Sequence, residues 1–284
     1  MPREGTAMGA WSNAPLVYVI ASVRFHPLPA NEGEALAIYD GFSKSLYEHF
    51  PVRTDTTAFQ LFLNPEKPEE SRAEKTQACI LTNKSKRKRA GFTVDHLFLD
   101  ATEYTNSQDF INLFRQVITS AWSAIESSLQ KQPQVSRIGL RYVDLIIPEP
   151  GASGMDLYLT SKLDLKAARN LAPIRTEWTA NFSGNASSFD SLLKVKYIES
   201  LDKKVLPPDI LGGKAPLTPG EVLHRQVSAD GSVASLDFDH VIESDELPNG
   251  AEEIIHLLSS LKRELPVSIK DLATSHAIKT WGAT

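Results

Sequence analysis

Cations placed within otherwise apolar runs are the residues of this chain with the clearest chemical potential. Arg24, Arg137 and Arg141 lie inside segments rich in Val, Ile, Leu and Tyr. A charge so placed needs a partner, because burying it alone is costly. Arg137, Gly139 and Arg141 sit at alternate positions and share one face of an extended strand. Two readings follow. The arginines close internal salt bridges, with Asp144 or Glu177 as the acids. Or they line an anion pocket on a sheet, with Gly139 leaving room for a ligand.

A second cationic cluster is Lys84-Ser85-Lys86-Arg87-Lys88-Arg89, five basic residues in six positions. Lys84, Lys86, Arg87, Lys88 and Arg89 read as a phosphate-contacting hairpin tip that holds nucleic acid through sequence-independent charge. The other reading is a solvated turn that keeps a hairpin edge soluble. No aromatic residue interleaves the run, so base stacking is not indicated.

Other chemistry is sparse. Asp237 and Asp239 share one strand face and His240 points the other way, so two carboxylates are available to a hard cation. Their alternation with Leu236 and Phe238 favours an ordinary polar face. The seven histidines are scattered singly, His224 beside Arg225 among them. Cys79 is the single cysteine, flanked by Ala78, Ile80 and Leu81, and reads as a buried strand thiol with no disulfide partner. Gly212-Gly213-Lys214 lacks the spacing of a phosphate loop. There is no nucleophile elbow, no His-Glu-x-x-His, no zinc-type cysteine pair and no dinucleotide fingerprint. The residues therefore predict no catalytic group, no metal and no cofactor.

The elements that must position these groups alternate along the chain. Residues 1–13 form a polar tail. Pro15–Phe25 reads as a strand. Asn31 with Glu34 is a capping box opening a helix with Ala35, Ile38, Phe42 and Leu46 on one stripe. Ala58–Leu63, Ala78–Thr82 and Phe92–Leu99 are strands, the last two forming a hairpin around Asn83–Gly91. Asn106 or Ser107 caps the best amphipathic helix, Phe110 to Leu129. Val135–Ile147 is a long strand. The Pro148–Gly154 stretch marks the internal boundary, dividing 14–148 from 149–284. The second half predicts a short helix over Asp156–Asn170 and strands at Thr176–Phe182, Phe189–Ile198, Glu221–Ala229 and Val233–Ile242. Pro207–Gly220 is a long loop. A helix follows from about Gly250, broken at Pro266, with a last helix reaching Trp281.

Each half reads strand, helix, strands, helix. The predicted class is α+β: two pseudo-repeats, each an antiparallel sheet packed on a long helix, helix-grip-like with a TATA-binding-protein-like topology. Composition fits a folded chain of 284 residues with 42% hydrophobic residues. Thirty basic and 35 acidic residues give a net charge of -5, which argues against a nucleic-acid coater. Residues 1–148 are balanced, so the second half carries the acidic excess. No apolar run approaches the ~20 residues of a membrane span, and Met1–Ser12 lacks a signal core. The expectation is a cytoplasmic protein without membrane contact.

Asn13-Ala14-Pro15-Leu16-Val17-Tyr18-Val19, followed by Val23-Arg24-Phe25, resembles the opening strand of a sporadically distributed family of uncharacterised bacterial proteins. Arg137-Ile138-Gly139-Leu140-Arg141-Tyr142-Val143-Asp144 resembles its second signature, and Asp100–Phe114 is similar to its strand-to-helix junction. The likeness covers most of 13–148. It implies no reaction, cofactor or catalytic residue. The family's patchy distribution suits defence or toxin–antitoxin loci.

These readings together predict a non-enzymatic binding or accessory protein that engages a protein partner through its sheets or the 207–220 loop. The alternatives are a nucleic-acid-contacting factor using the tip 84–89, and a small-anion sensor or enzyme using Arg24, Arg137 and Arg141. Self-association through a sheet edge is also expected.

Overall fold

A computed structural model describes residues 15–62, 72–148, 154, 158, 159, 174–207, 210, 216–220 and 231–281. The predicted short helix at 156–170, the strand at 221–229, His224 and Arg225 lie outside the described residues, Tyr158 and Leu159 excepted.

Nine strands form a single sheet: β1 (Leu16–Phe25), β2 (Val52–Phe62), β3 (Arg72–Thr82), β4 (Lys88–Thr93), β5 (His96–Ala101), β6 (Val135–Ile146), β7 (Arg175–Ala186), β8 (Phe189–Ser200) and β9 (Val233–Glu243). Their order is β2-β3-β4-β5-β1-β6-β9-β8-β7, and every pairing is antiparallel. Helices with described bounds are α1 (Glu32–Ser45), α2 (Ser107–Leu129), α3 (Ala251–Leu272) and α4 (Ser275–Thr280). The protein is thus α+β with a large antiparallel sheet and few helices.

Period-2 alternation sends Val19, Ala21 and Val23 of β1, Leu140 and Tyr142 of β6 and Phe238 of β9 to one face of the sheet. There they join Phe42 of α1, Phe114 and Ile118 of α2 and Leu258 and Leu261 of α3 in one core. The three long helices therefore cover a single face. Aromatic edges lock the centre: the Phe92 ring meets Phe25 at 6.2 Å and Phe42 at 5.2 Å, and Phe25 meets Trp122 at 5.8 Å. Asn249 ties α2 to β6, its carbonyl accepting from Trp122 Nε1 at 2.5 Å and its Oδ1 from the Val135 amide at 2.9 Å.

Local signals account for the helix starts. Asn31 Oδ1 accepts the Glu34 amide at 3.0 Å and Glu34 Oε2 accepts the Asn31 amide at 2.9 Å, a complete capping box. Asn106 caps α2 by accepting the Asp109 amide at 2.8 Å.

Two expectations are corrected. Phe92–Leu99 is two strands rather than one: the chain turns at Val94-Asp95, where Thr93 Oγ1 donates to Asp95 Oδ1 at 2.7 Å and accepts the Asp95 amide. The helix after Gly250 does not stop at Pro266 but continues to Leu272. A proline there removes one main-chain bond, to the Lys262 carbonyl. The buried stripe Ile254, Ile255, Leu258, Leu261 and Leu265 holds the helix on the sheet up to that point.

The opposite face carries the charge. After β8, the described residues 201–207, 210 and 216–220 form a strap that buries apolar side chains on this face. Val205, Ile210 and Leu217 of this strap bury against Val17, Tyr18, Val143, Leu145 and Ile198, a second small core. The strap is pinned at its far end, where the Thr218 amide donates to the Lys86 carbonyl at 2.7 Å and Thr102 Oγ1 donates to the Thr218 carbonyl at 2.6 Å.

Candidate functional site: a cationic pocket on the open face

The registers of β6, β9, β8 and β7 set the charged rows of the open face. Arg141 stands opposite Asp239, Asp239 opposite Lys194, and Lys194 opposite Asn181. One row along, Val143 is followed by Asp237, Lys196 and Thr179. These rows place Lys194 and Lys196 over the same stretch of sheet as Arg141. Arg175, from the start of β7, and Lys204, from the strap, close the space into a pocket of about 630 Å³. Asp237 and Asp239 are the carboxylates in its lining, and Ile198, Leu206 and Pro207 give it an apolar margin. Five cations therefore face two carboxylates, on a chain whose net charge is -5.

The pairing within the site is uneven. Arg141 reaches diagonally to Asp237 in a two-pronged contact, Nε to Oδ1 at 2.7 Å and Nη2 to Oδ2 at 2.7 Å. Glu177 accepts from Lys196 at 2.6 Å and Arg175 at 3.4 Å, and these cations hold its carboxyl below the usual range. Arg175 also donates to the Lys204 carbonyl at 2.9 Å, fixing the strap over the pocket. Lys194 and Lys204 are exposed and make no side-chain ion pair within 4.0 Å among the described residues. Burial pushes the Asp239 carboxyl up, against the pull of Arg137 and Arg141.

The three arginines picked from the sequence do not converge. Arg141 is in the pocket. Arg137 lies four residues away, roughly 13 Å along the strand. It pairs with Glu243 at 2.9 Å and Asp239 at 3.6 Å. Arg24 is exposed, opposite Arg137 on one side and His96 on the other. Burial first, and then the charge of Arg24, hold the His96 imidazole down at about 4, so it is neutral near pH 7. The expected acids are also reassigned. Glu177 serves Lys196 and Arg175 rather than Arg137 or Arg141. Neither oxygen of Asp144 has a hydrogen-bond partner among the described residues. Gly139 does not open a ligand space either: a Cβ there would meet Ser22 Oγ at 3.2 Å and Val241 Cγ1 at 3.3 Å, so the flanking side chains already fill it.

The basic run is likewise divided. Lys84, Lys86 and Arg87 lie in the turn, whereas Lys88 and Arg89 begin β4. Arg89 is buried, its guanidinium bonded to Asp100, which also accepts from Tyr18 Oη at 2.6 Å. Arg89 further stands 5.6 Å from the centre of the Phe98 ring. It is a structural cation and is withdrawn from the tip.

Asp237 and Asp239 face Arg141 and Lys194, and His240 points to the helix side, where its ring contacts Ser191 Oγ at 3.1 Å. Among the described residues no group of His, Cys, Asp and Glu has the arrangement of a metal site. Cys79 is fully buried, and burial pushes its thiol up to about 12. The residues that sequence reading missed are Arg175, Lys194, Lys196 and Lys204. One signal was present: Lys194-Val195-Lys196 places two cations at period two, on one face of a strand.

No protein-family model matches the chain, and no curated protein shows a significant match to it. The likeness noted for residues 13–148 thus contributes no function. Among the described residues, no helix is long and apolar enough to cross a membrane.

Proposed function

We propose that this chain is a non-enzymatic binding protein that holds a compact, multivalent anion on the open face of its sheet. The observation that carries this reading is the five cations that line the 630 Å³ pocket with Asp237 and Asp239, of which Glu177 beside the lining pairs Arg175 and Lys196. Arg141 and Asp237 form the fixed floor. Lys194 on β8 and Lys204 on the strap are exposed and make no ion pair among the described residues, so their ammonium groups can turn onto a ligand, and Lys196 and Arg175 add charge to the lining. A phosphate-type anion suits such a set, since ammonium groups bind it as point charges and arginine adds a planar fork.

The nucleic-acid reading keeps Lys84, Lys86, Arg87 and Lys88 but loses Arg89, and the run itself holds no aromatic residue for stacking. The protein-partner reading draws on a different feature, the outer strand β7, taken up below. We also read the sheet order as two pseudo-repeats: β1 and β6 lie side by side at the centre, and each is followed by strands that begin at the sheet edge and work inward to it, and by a long helix.

Isothermal titration of the full chain with inorganic pyrophosphate at low salt tests the binding reading. Saturable one-to-one binding is expected, weakened about tenfold by Lys194→Ala or Lys204→Ala, the equivalent of ~1.4 kcal/mol. An affinity unchanged in both variants would overturn it.

A further inference from the structure

β7 is the last strand of the sheet order, and β8 is its one strand neighbour among the described residues. An edge strand presents unpaired N–H and C=O groups, and proteins normally guard it with lysines, prolines, bulges or brevity. β7 has none of these guards. It is 12 residues long, and its register with β8 is unbroken from Arg175↔Ser200 to Ala186↔Phe189. Thr176 to Ala186 contains no proline and one charge, Glu177, whose carboxylate is turned inward onto Lys196.

We infer that the β7 edge pairs with β7 of a second copy of this chain, about a two-fold axis at Ala180. This inference goes beyond the anion reading and does not depend on it. The strand is self-complementary in that register. A two-fold perpendicular to the sheet sets Ala180 opposite itself, and the other pairs follow by counting outward in opposite directions. Trp178 then stands opposite Phe182 of the second copy, and Phe182 opposite Trp178. Both are on the helix side. Phe182 is 48% exposed in the single chain, and Trp178 already stacks on Tyr197 at 5.9 Å. Aromatic pairs directly across two strands are a stabilising unit of sheets.

On the open face Thr179 meets Asn181, and Glu177 meets Ser183. Arg175 meets Asn185. No like charges are opposed anywhere along the strand. Such pairing joins the two sheets edge to edge and turns both cationic pockets to the same side, with the two Lys196 strands about 14 Å apart, three strand spacings.

Sedimentation equilibrium of the full chain is expected to show a reversible dimer. Thr179→Lys with Asn181→Lys opposes lysines across the axis on exposed positions, and should weaken dimerisation at least tenfold while the monomer keeps its circular dichroism and melting behaviour. Ala180→Cys supplies an independent readout: with Cys79 buried as the only other thiol, mild oxidation should give a covalent dimer, whereas Ser187→Cys, beyond the end of the strand, should not. A wild-type chain that stays monomeric at a few hundred micromolar overturns the inference and leaves the edge to another protein. A dimer that ignores the double lysine variant and does not crosslink through Ala180→Cys overturns it as well.

Discussion

Arg141 makes its two-pronged ion pair with Asp237 and not in register with the aspartate directly across from it. Its guanidinium passes Asp239 and closes on Asp237, one row along the neighbouring strand, with both contacts at 2.7 Å. The consequence is that Asp239, across from Lys194 in the pocket lining, pairs with Arg137 at 3.6 Å, and that the Arg141–Asp237 pair has side chains only 19% and 10% exposed. Removing one member leaves the other charge poorly solvated.

Arg141→Ala should therefore lower stability by about 3 kcal/mol. The double variant Arg141→Met with Asp237→Leu should recover most of that loss. Urea unfolding of the three proteins measures it. A single variant as stable as the wild type would show that the pair contributes nothing beyond its geometry.

Asp144 gives stability a distinctive pH dependence. Burial first, and then the charge of Asp237, raise its carboxyl from 3.8 to about 7. Below pH 4 the acid is protonated in both folded and unfolded chains and has no effect. Between about pH 4 and 7 the unfolded chain has lost the proton while the folded chain keeps it, so stability falls as pH rises. The full penalty, on the order of 4 kcal/mol, stands above pH 7. Asp144→Asn removes this term. Its unfolding free energy relative to wild type should improve steadily from pH 4.5 to pH 8. A gap that stays constant across that range would mean that Asp144 titrates normally.

Asp100 is the hub of a buried triad with Arg89 and Tyr18. Tyr18→Phe removes one neutral donor and should cost about 1 kcal/mol. Asp100→Asn strands the Arg89 charge and should cost about 3–5 kcal/mol. The ordering of the two losses in chemical denaturation is the test, and equal losses would contradict the triad.

Cys79 has no exposed surface and a thiol raised to about 12. It should resist Ellman's reagent at pH 8 in the folded protein and react stoichiometrically in 6 M guanidinium. Rapid labelling of the native chain would place the thiol at the surface.

Much of the scaffold was legible in the residues. The capping box at Asn31 and Glu34, the stripe from Phe110 to Ile125 and the cores of β1, β6, β8 and β9 follow local rules of spacing and capping. Misreadings occurred where local signals were weak or overridden. Val94-Asp95 carries neither Gly nor Pro, so the reversal between β4 and β5 was invisible. At Pro266 helix packing prevailed over a missing hydrogen bond. The pocket was legible only in part. Arg141 stood out as a cation in an apolar strand, but its companions come from β7, β8 and the strap, and only the strand order β6-β9-β8-β7 brings them together. Arg89 misled for the opposite reason. It belongs by sequence to a basic run and by structure to a buried pair, because its partner Asp100 is supplied by the neighbouring strand.

Lysine footprinting addresses the central claim most directly. The full chain is treated with a limiting acetylating reagent with and without inorganic pyrophosphate, and each lysine is quantified by mass spectrometry. Protection is expected at Lys194, Lys196 and Lys204, with Lys84, Lys86 and Lys88 modified equally in both samples. Protection confined to Lys84, Lys86 and Lys88, or a pattern indifferent to pyrophosphate, would contradict an anion site on the open face.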